Sequence, residues 1–157
     1  MNFKEAIKIE NVDFKGIEST YFLLGLLSSF SNKYQALADQ FFNEISWKQF
    51  FVIICINLYK EAPTLKELSE LVGSSHQNVK QILLKLENKG YVQMIPDQTD
   101  KRKQRFILTE KTRMFCKEHD ERSSTVVSQI FSGIDKKDLE TTIKTIIGMN
   151  DNLEGVK

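Results

Sequence analysis

The chain has 157 residues, of which 41% are hydrophobic and 27% charged, and its 22 Lys and Arg residues nearly balance 21 Asp and Glu residues. This composition excludes intrinsic disorder, because disordered chains combine low hydrophobicity with high net charge. Only seven Gly and two Pro argue against a loop-rich β-sandwich and favour a helical protein. Two Cys residues cannot build a disulfide framework, so we expect a reduced, intracellular environment.

The first residues lack the basic segment, apolar core and cleavage site of a signal peptide. The longest mostly apolar run, from Tyr21 to Leu27, is well short of the ~20 residues that span a bilayer. We therefore expect a cytoplasmic protein that does not associate with a membrane.

The nearly neutral net charge conceals an uneven distribution. Between His76 and Arg113 the chain has nine basic and four acidic residues, a local charge of +5, and the remainder carries −4. Such a basic segment in an otherwise acidic chain is typical of a polyanion-binding protein. A solvated surface that happens to be basic would give the same count, so charge alone leaves both readings open.

The amino-terminal half is predicted to be helical. Apolar residues at spacings of three and four predict one long helix from about Ile17 to Phe42, apolar on several sides, which favours a helix shared with a second subunit. Capping signals predict helices starting at Ser46, Thr64 and Ser74, each with Gln or Glu three residues later. Gly73 and Gly90 are predicted to end the second and third of these helices.

The periodicity then changes to that of strands. Residues 91–95 and 105–109 predict a β-hairpin with a charged tip. Helices are predicted from about Glu110 to Phe131 and from an N-cap at Asp135 to about Asn150. The predicted fold is mainly α with a small β-hairpin wing, a winged helix-turn-helix domain flanked by long dimerisation helices.

The helix predicted from Ser74 to Lys89 has two distinct faces. Its apolar residues recur at i, i+3, i+4 and i+7 and predict a buried side; they are Val79, Ile82, Leu83 and Leu86. The opposite side carries amides and lysines. Gln can pair with adenine, and Lys can reach guanine acceptors or phosphate oxygens. The amino end of a helix also favours a phosphate.

The predicted hairpin tip, Lys101-Arg102-Lys103, strengthens the DNA-binding interpretation, because a turn needs no cluster of charges to fold. Arg at such a tip can enter a narrow minor groove, where the negative potential is deepest. The residues predicted to contact DNA are Ser74, Ser75, His76, Gln77, Asn78, Lys80, Gln81 and Lys85 on the helix and Lys101, Arg102, Lys103 and Arg105 on the hairpin.

Residues 65–111 resemble the MarR family of transcriptional regulators. The matching stretches are the Leu-Lys-Glu-Leu-Ser-Glu-Leu-Val-Gly run from Leu65, the Leu-Glu-Asn-Lys-Gly-Tyr-Val run from Leu86, and the wing pattern Asp97-x-x-Asp100-Lys101-Arg102 followed by Leu-Thr-Glu-Lys from Leu108. With the long flanking helices, the similarity extends over about residues 17–150.

The resemblance implies a homodimer that binds double-stranded DNA at an inverted-repeat operator. It implies a dimerisation region formed by residues 1–45 and 112–157 and a DNA-binding domain over residues 46–111. Each subunit would place the helix that begins near Ser74 in a major groove and its wing in a flanking minor groove. Many members of this family are repressors released by a small, often aromatic, effector; the residues that would bind one are not predicted here.

Other functional classes find less support in the sequence. There is no glycine-rich phosphate loop and no hydrolase or metalloprotease motif, so we expect neither an enzyme nor a cofactor. Cys116 and His119 are two ligands where a zinc site needs four, so no metal is expected. Cys55 is expected to be a buried small residue. The alternative function is a winged helix that contacts only proteins, against which the basic hairpin tip argues.

Overall fold

The computed structural model describes residues 12–156; the two ends of the predicted dimerisation region, residues 1–11 and residue 157, lie outside this range. Within it, the chain forms the predicted succession of four helices, two strands and two helices. The elements are α1 (Ser19–Asp39), α2 (Trp47–Leu58), α3 (Leu65–Val72), α4 (His76–Asn88), β1 (Val92–Pro96), β2 (Gln104–Leu108), α5 (Glu110–Ile130) and α6 (Lys136–Gly155). The predicted fold class is confirmed.

Helices α2 and α3 both begin at the predicted capping boxes. The Ser46 hydroxyl accepts the Gln49 amide N–H, while the Gln49 side chain accepts the Ser46 N–H at 3.0 Å. Thr64 and Glu67 make the same reciprocal pair, with the Thr64 N–H 2.7 Å from Glu67 Oε2. These bonds satisfy amide groups that have no partner inside the helix, which is why the boundaries were visible in the sequence.

The third predicted cap is wrong by one residue. Ser75, not Ser74, caps α4, and its hydroxyl accepts the Asn78 N–H. Ser74 belongs to the end of α3, because its N–H bonds to the Ser69 carbonyl while Gly73, at a φ of 68°, bonds to Glu70. This pair of bonds is a Schellman motif. Because the motif includes Ser74, the cap of the next helix falls one residue later than predicted.

The boundaries of α1 and α6 differ from the prediction. Helix α1 stops three residues before Phe42 because its last amides bond three rather than four residues back, and Phe42 then turns inward. The Phe42 ring lies 4.6 Å from that of Phe50 in α2. Helix α6 continues five residues beyond the predicted end at Asn150, to Gly155.

The two strands pair antiparallel, and each lies one residue from its predicted position, with Val92 opposite Leu108 and Pro96 opposite Gln104. Tyr91 is excluded from β1 because its N–H completes a second Schellman motif at Gly90. On the outer edge of β2, Phe106 donates to the Pro63 carbonyl and Arg105 bridges to Thr64. We call residues 92–108 the wing; these bonds tie it to the segment before α3.

The hydrophobic core lies between α2, α3, α4 and the base of the wing. Its fully or almost fully buried side chains come from each of these elements: Val52, Ile53, Cys55, Ile56, Leu68, Val79, Leu83, Leu86, Tyr91, Val92 and Phe106. Three of the four residues predicted to form the inner face of α4 are buried, and Ile82 is half-buried. The core fixes α4 by one side and leaves its polar side exposed.

The described chain divides into two compact units, the first ending at Thr109 and the second beginning at Glu110. The long helices in both units bury few of their own apolar side chains. Only Ala38 is buried in α1, and no residue is buried in α6. None of the described helices is long and apolar enough to cross a membrane.

Candidate nucleic-acid interface

Helix α4 forms an exposed polar ridge. Gln77 and Gln81 lie one turn apart and are both exposed, whereas Val79 and Leu83 on the other side are buried in the core. The core therefore holds the helix while its amide side chains point away from the protein. We call α4 the recognition helix, because this is the geometry that lets an α-helix enter a major groove.

A cleft of about 670 Å³ lies on one flank of this ridge, between the recognition helix, α3 and the wing. We call it the wing-side cleft. His76 and Lys80 line it from the recognition helix, and Arg102 and Lys103 line it from the wing. The structure thus brings residues from both predicted groups, separated by more than twenty positions in sequence, to a single concave surface, whereas Lys85 and Lys101 are exposed and do not line it.

The wing tip presents its cations to solvent. The Arg102 side chain is 91% exposed, and its Nε lies 3.2 Å from Asp100 Oδ1. Lys103 Nζ lies 3.8 Å from the other oxygen of Asp100. Exposed ion pairs of this kind contribute about 0–1 kcal/mol, so a phosphate can replace Asp100 at little cost. The tip therefore has the chemistry of a polyanion-binding element.

A buried carboxylate organises the turn that carries this tip. Asp97 is only 4% exposed, and its Oδ1 accepts the Thr99 hydroxyl at 2.7 Å and the backbone N–H groups of Thr99 and Asp100, each at 2.8 Å. The pKa of Asp97 is held far below its usual range. The largest cause is the bond from the Thr99 hydroxyl, followed by those from the Asp100 N–H and from the Arg105 guanidinium. Asp97 stays ionised and keeps the turn closed.

Arg105 connects this turn to the rest of the domain. Its Nε donates to Asp97 Oδ2 and its Nη1 donates to the Ala62 carbonyl at 2.6 Å, and the Arg105 side chain is 30% exposed. The sequence predicted Arg105 as a DNA contact like its neighbours at the tip. In the structure it lies outside the tip, and two of its guanidinium nitrogens donate hydrogen bonds to groups of the protein itself. Its contact with DNA stays a prediction.

Sequence reasoning missed the function of Asp97 in the wing. A signal was present, because Asp followed two residues later by Thr and then Asp is typical of a side chain that bonds to the backbone of its own turn. The partner Arg105 lies eight residues from Asp97, and the Ala62 carbonyl that Arg105 also contacts lies forty-three residues from Arg105. Contacts over these separations do not appear in a local pattern.

Three of the remaining predicted residues, Ser74, Ser75 and Asn78, lie around the amino end of the recognition helix, and Lys85 lies in its last turn. Ser75, Asn78 and Lys85 are exposed, and Ser74 is half-exposed. The Ser74 hydroxyl accepts from Asn78 Nδ2 at 2.8 Å, and the Ser75 hydroxyl is used as the helix cap. Ser74 and Ser75 are therefore both involved in shaping the turn that starts the helix.

The two Cys residues are poor candidates for reactive sites. Burial raises the pKa of the Cys55 thiol, and burial together with the nearby Asp120 charge raises that of Cys116. A raised pKa keeps a thiol protonated and slow to react. The His119 ring stacks on Phe115, with centroids 4.2 Å apart. Over residues 12–156 no three His, Cys, Asp or Glu side chains form a cluster that could hold a metal.

Comparison with known proteins agrees with the geometry of this domain. Residues 45–103, from just before α2 to the wing tip, match the model of the MarR family. This stretch contains α2, α3, the recognition helix and most of the wing. It therefore includes both sides of the wing-side cleft.

Solved structures extend the likeness over most of the chain. A MarR protein from Peptoclostridium difficile superposes with a TM-score of 0.79 at 20% identity, covering 94% of this chain and 96% of that one. FabT of Streptococcus pneumoniae, solved in complex with DNA, gives 0.65 at 22% identity over 88% and 99% of the two chains. The PcaV transcriptional regulator from Streptomyces coelicolor, solved with its natural ligand, gives 0.73 at 14% identity over 91% and 98%.

At these identities the likeness to solved structures is one of fold, and the match to the family model adds the sequence evidence. The matched segment contains the recognition helix and the wing tip. Residues 45–103 of this chain are thus similar in sequence to the MarR family, and the described chain shares the fold of solved MarR-family regulators.

Proposed function

We propose that this protein is a transcriptional regulator that binds double-stranded DNA sequence-specifically. The observation that carries the proposal is the exposed Gln77–Gln81 ridge beside a wing tip of three basic residues. The ridge and the tip correspond to the two kinds of contact that duplex recognition needs. Side chains on a helix in the major groove read base edges, and cations at the backbone and minor groove supply affinity. FabT, which shares the fold, was solved bound to DNA.

We further propose a homodimer whose dimerisation region comprises residues 1–45 and 112–157, with the DNA-binding domain at 46–111. Support comes from apolar side chains that stay exposed within one chain. On α1 these include Tyr21, Leu24 and Phe30, and on α6 Ile143 and Ile147. A second copy would remove this surface from water. A two-fold dimer should select an inverted repeat whose half-sites lie about 10 base pairs apart.

Repression released by a small aromatic effector is the regulatory mode that we propose. PcaV, a regulator with this fold, was solved with its natural ligand. In the present chain, half-buried aromatic rings meet between α1 and α2. The Tyr34 and Trp47 centroids are 4.8 Å apart, edge to face, and the Trp47 and Phe51 rings stack at 6.0 Å. Such rings offer a planar ligand stacking partners at low entropic cost.

Trp47 provides a direct way to test for an effector, because it is the single Trp in the sequence. Titration with benzoate and its hydroxylated derivatives should change Trp47 fluorescence with saturation, and a compound that does so should weaken DNA binding. Saturable binding without any effect on DNA affinity would contradict effector release.

DNA binding itself is tested on the purified chain with a random duplex at two salt concentrations, followed by sequencing of genomic fragments that the protein retains. We expect affinity to fall steeply with salt, because each neutralised phosphate releases counterions. The retained fragments should share an inverted repeat. Absence of duplex binding at low salt would favour the alternative, a winged helix that contacts only proteins.

A further inference from the structure

A second cleft lies on the flank of the recognition helix opposite the wing. It has a volume of about 600 Å³ and is formed by the start of α2, the loop before it and one side of the recognition helix. We call it the distal cleft. Asn78, Ile82, Lys85 and Lys89 line it, a set that recurs every three to four residues and therefore follows one side of the helix.

The recognition helix is thus a ridge between two clefts. His76, Lys80 and Leu84 face the wing-side cleft, Lys85 and Lys89 face the distal cleft, and neither cleft includes Gln77 or Gln81. At 100° per residue, the two lining sets lie on opposite sides of the Gln77–Gln81 line. A helix seated in a major groove about 12 Å wide has a phosphate strand along each flank. Each cleft then faces one strand.

The distal cleft contains cations suited to the second strand. Exposed lysines line it from two sides, Lys48 from the first turn of α2, and Lys85 and the C-cap residue Lys89 from the recognition helix and its end. Lys89 Nζ also donates to the Glu44 carbonyl, which holds this side chain over the loop. No short stretch of sequence combines residues 48 and 85, so the cluster appears only in the folded chain.

Two carboxylates share the distal cleft, and each accepts a hydrogen bond from within the protein. Asp39 Oδ1 accepts the Trp47 N–H at the start of α2, and Glu44 Oε2 accepts the Tyr91 hydroxyl at 2.7 Å. Three ammonium groups against two carboxylates leave a positive surplus. Each of these two acids is thus held in place by a hydrogen bond within the protein, whereas the side chains of Lys48 and Lys85 are exposed to solvent.

We infer that Lys48, together with Lys85, binds phosphates of the DNA strand on the side of the recognition helix away from the wing. This inference rests on the proposed DNA-binding function and adds a second backbone contact region to it. Lys48 lies outside the residues that the sequence analysis assigned to DNA. The contact would be made to the sugar-phosphate backbone, so it adds affinity without selecting bases.

The test compares Lys48→Ala with Lys60→Ala in the full chain. Lys60 is an exposed lysine just beyond the other end of α2 and lines neither cleft, so it is a matched control. The probe is a random duplex of about two helical turns, titrated at several salt concentrations, and the folding of both variants is checked by circular dichroism. Lys48→Arg keeps the charge and should restore binding.

For Lys48→Ala we expect affinity to fall on the order of tenfold and the salt slope to decrease by about 0.9 per lost contact, or up to about 1.8 in a dimer. Lys60→Ala should match the wild type. If the wild type binds duplex and Lys48→Ala behaves like Lys60→Ala, the inference is overturned and the proposed function stands. A wild type that binds no duplex overturns the proposed function and the inference with it.

Discussion

The winged helix domain and the long helices differ in where their apolar side chains go. In the domain, residues such as Leu68, Val79 and Leu86 are removed from water entirely by contacts within one chain. In α1 and α6, side chains such as Phe30 and Ile147 remain about half exposed. Both regions have clear helical periodicity, so the pattern that predicts a helix does not reveal what covers it.

This difference separates two sources of stability. The domain's stability comes from its own core, and its capping boxes and Schellman motifs define each helix locally. Burial of a large aliphatic side chain contributes about 1.5–3 kcal/mol, and α6 gains little of this within one chain. We propose that the second subunit supplies the rest.

The largest effect is expected in the core of the domain. Leu86→Ala removes a side chain that has no exposed surface, and the resulting cavity should lower the free energy of unfolding by about 2–5 kcal/mol. Urea denaturation at a fixed protein concentration measures this loss. A decrease below about 1 kcal/mol would contradict a core packed tightly around Leu86.

In α6 we expect the effect to depend on self-association. Ile147 is 54% exposed within one chain, so Ile147→Lys would change the stability of a monomer by only about 0.5 kcal/mol. If a second copy covers it, the buried charge should weaken dimerisation tenfold or more, which is about 1.4 kcal/mol. Sedimentation at a series of concentrations measures the change.

Thr145→Lys is the control for this experiment, since Thr145 is exposed on the other side of α6. It should leave the dissociation constant near that of the wild type. A wild-type chain that sediments as a monomer at low micromolar concentration would rule out the proposed dimer.

At the wing, the expected effect is smaller and depends on pH. Asp97→Asn removes a carboxylate whose pKa is held below its usual value by the Thr99 hydroxyl, the Asp100 N–H and Arg105. A carboxylate whose pKa is lower in the folded than in the unfolded state stabilises the fold at pH values above its unfolded-state pKa. This contribution is lost as the pH falls through the folded-state pKa. The variant should therefore melt at a lower temperature than the wild type at pH 7, and the difference should shrink below about pH 4.

Asp120→Asn, which changes an exposed carboxylate of α5, is the comparison for Asp97→Asn and should melt like the wild type at pH 7. A difference between the wild type and Asp97→Asn that persists unchanged at pH 3 would mean that the charge of Asp97 does not stabilise the wing.

The fold was predictable because its local signals agree. Ser46 and Thr64 start helices, Gly73 and Gly90 end them, and the switch to strand periodicity after Gly90 locates the wing. The misplaced cap at Ser74 shows the limit of such signals. Ser74 and Ser75 are both suitable caps, and the choice between them depends on how the preceding helix ends.

The candidate site was only partly predictable, since long-range contacts determine the part that was missed. The exposed positions of Gln77, Gln81 and Arg102 follow from the helical period and the hairpin turn. The bond from Arg105 to the Ala62 carbonyl and the presence of Lys48 beside Lys85 depend on how α2, α3 and the wing pack. No spacing along the chain encodes these contacts.

We propose that the Gln77–Gln81 ridge reads bases while the wing tip contacts the DNA backbone. The most direct test titrates Gln81→Ala and Arg102→Ala on the selected operator and on a scrambled duplex at several salt concentrations. Gln81→Ala should cost about 1–3 kcal/mol on the operator alone and relax the preference at one position per half-site. Gln77→Ala should behave in the same way.

Arg102→Ala should weaken binding to both duplexes and reduce the salt slope by about 0.9 per lost phosphate contact, up to about 1.8 for a dimer. If Arg102→Ala leaves both the affinity and the slope unchanged, or if Gln81→Ala weakens both duplexes equally, the assignment of these two surfaces is wrong.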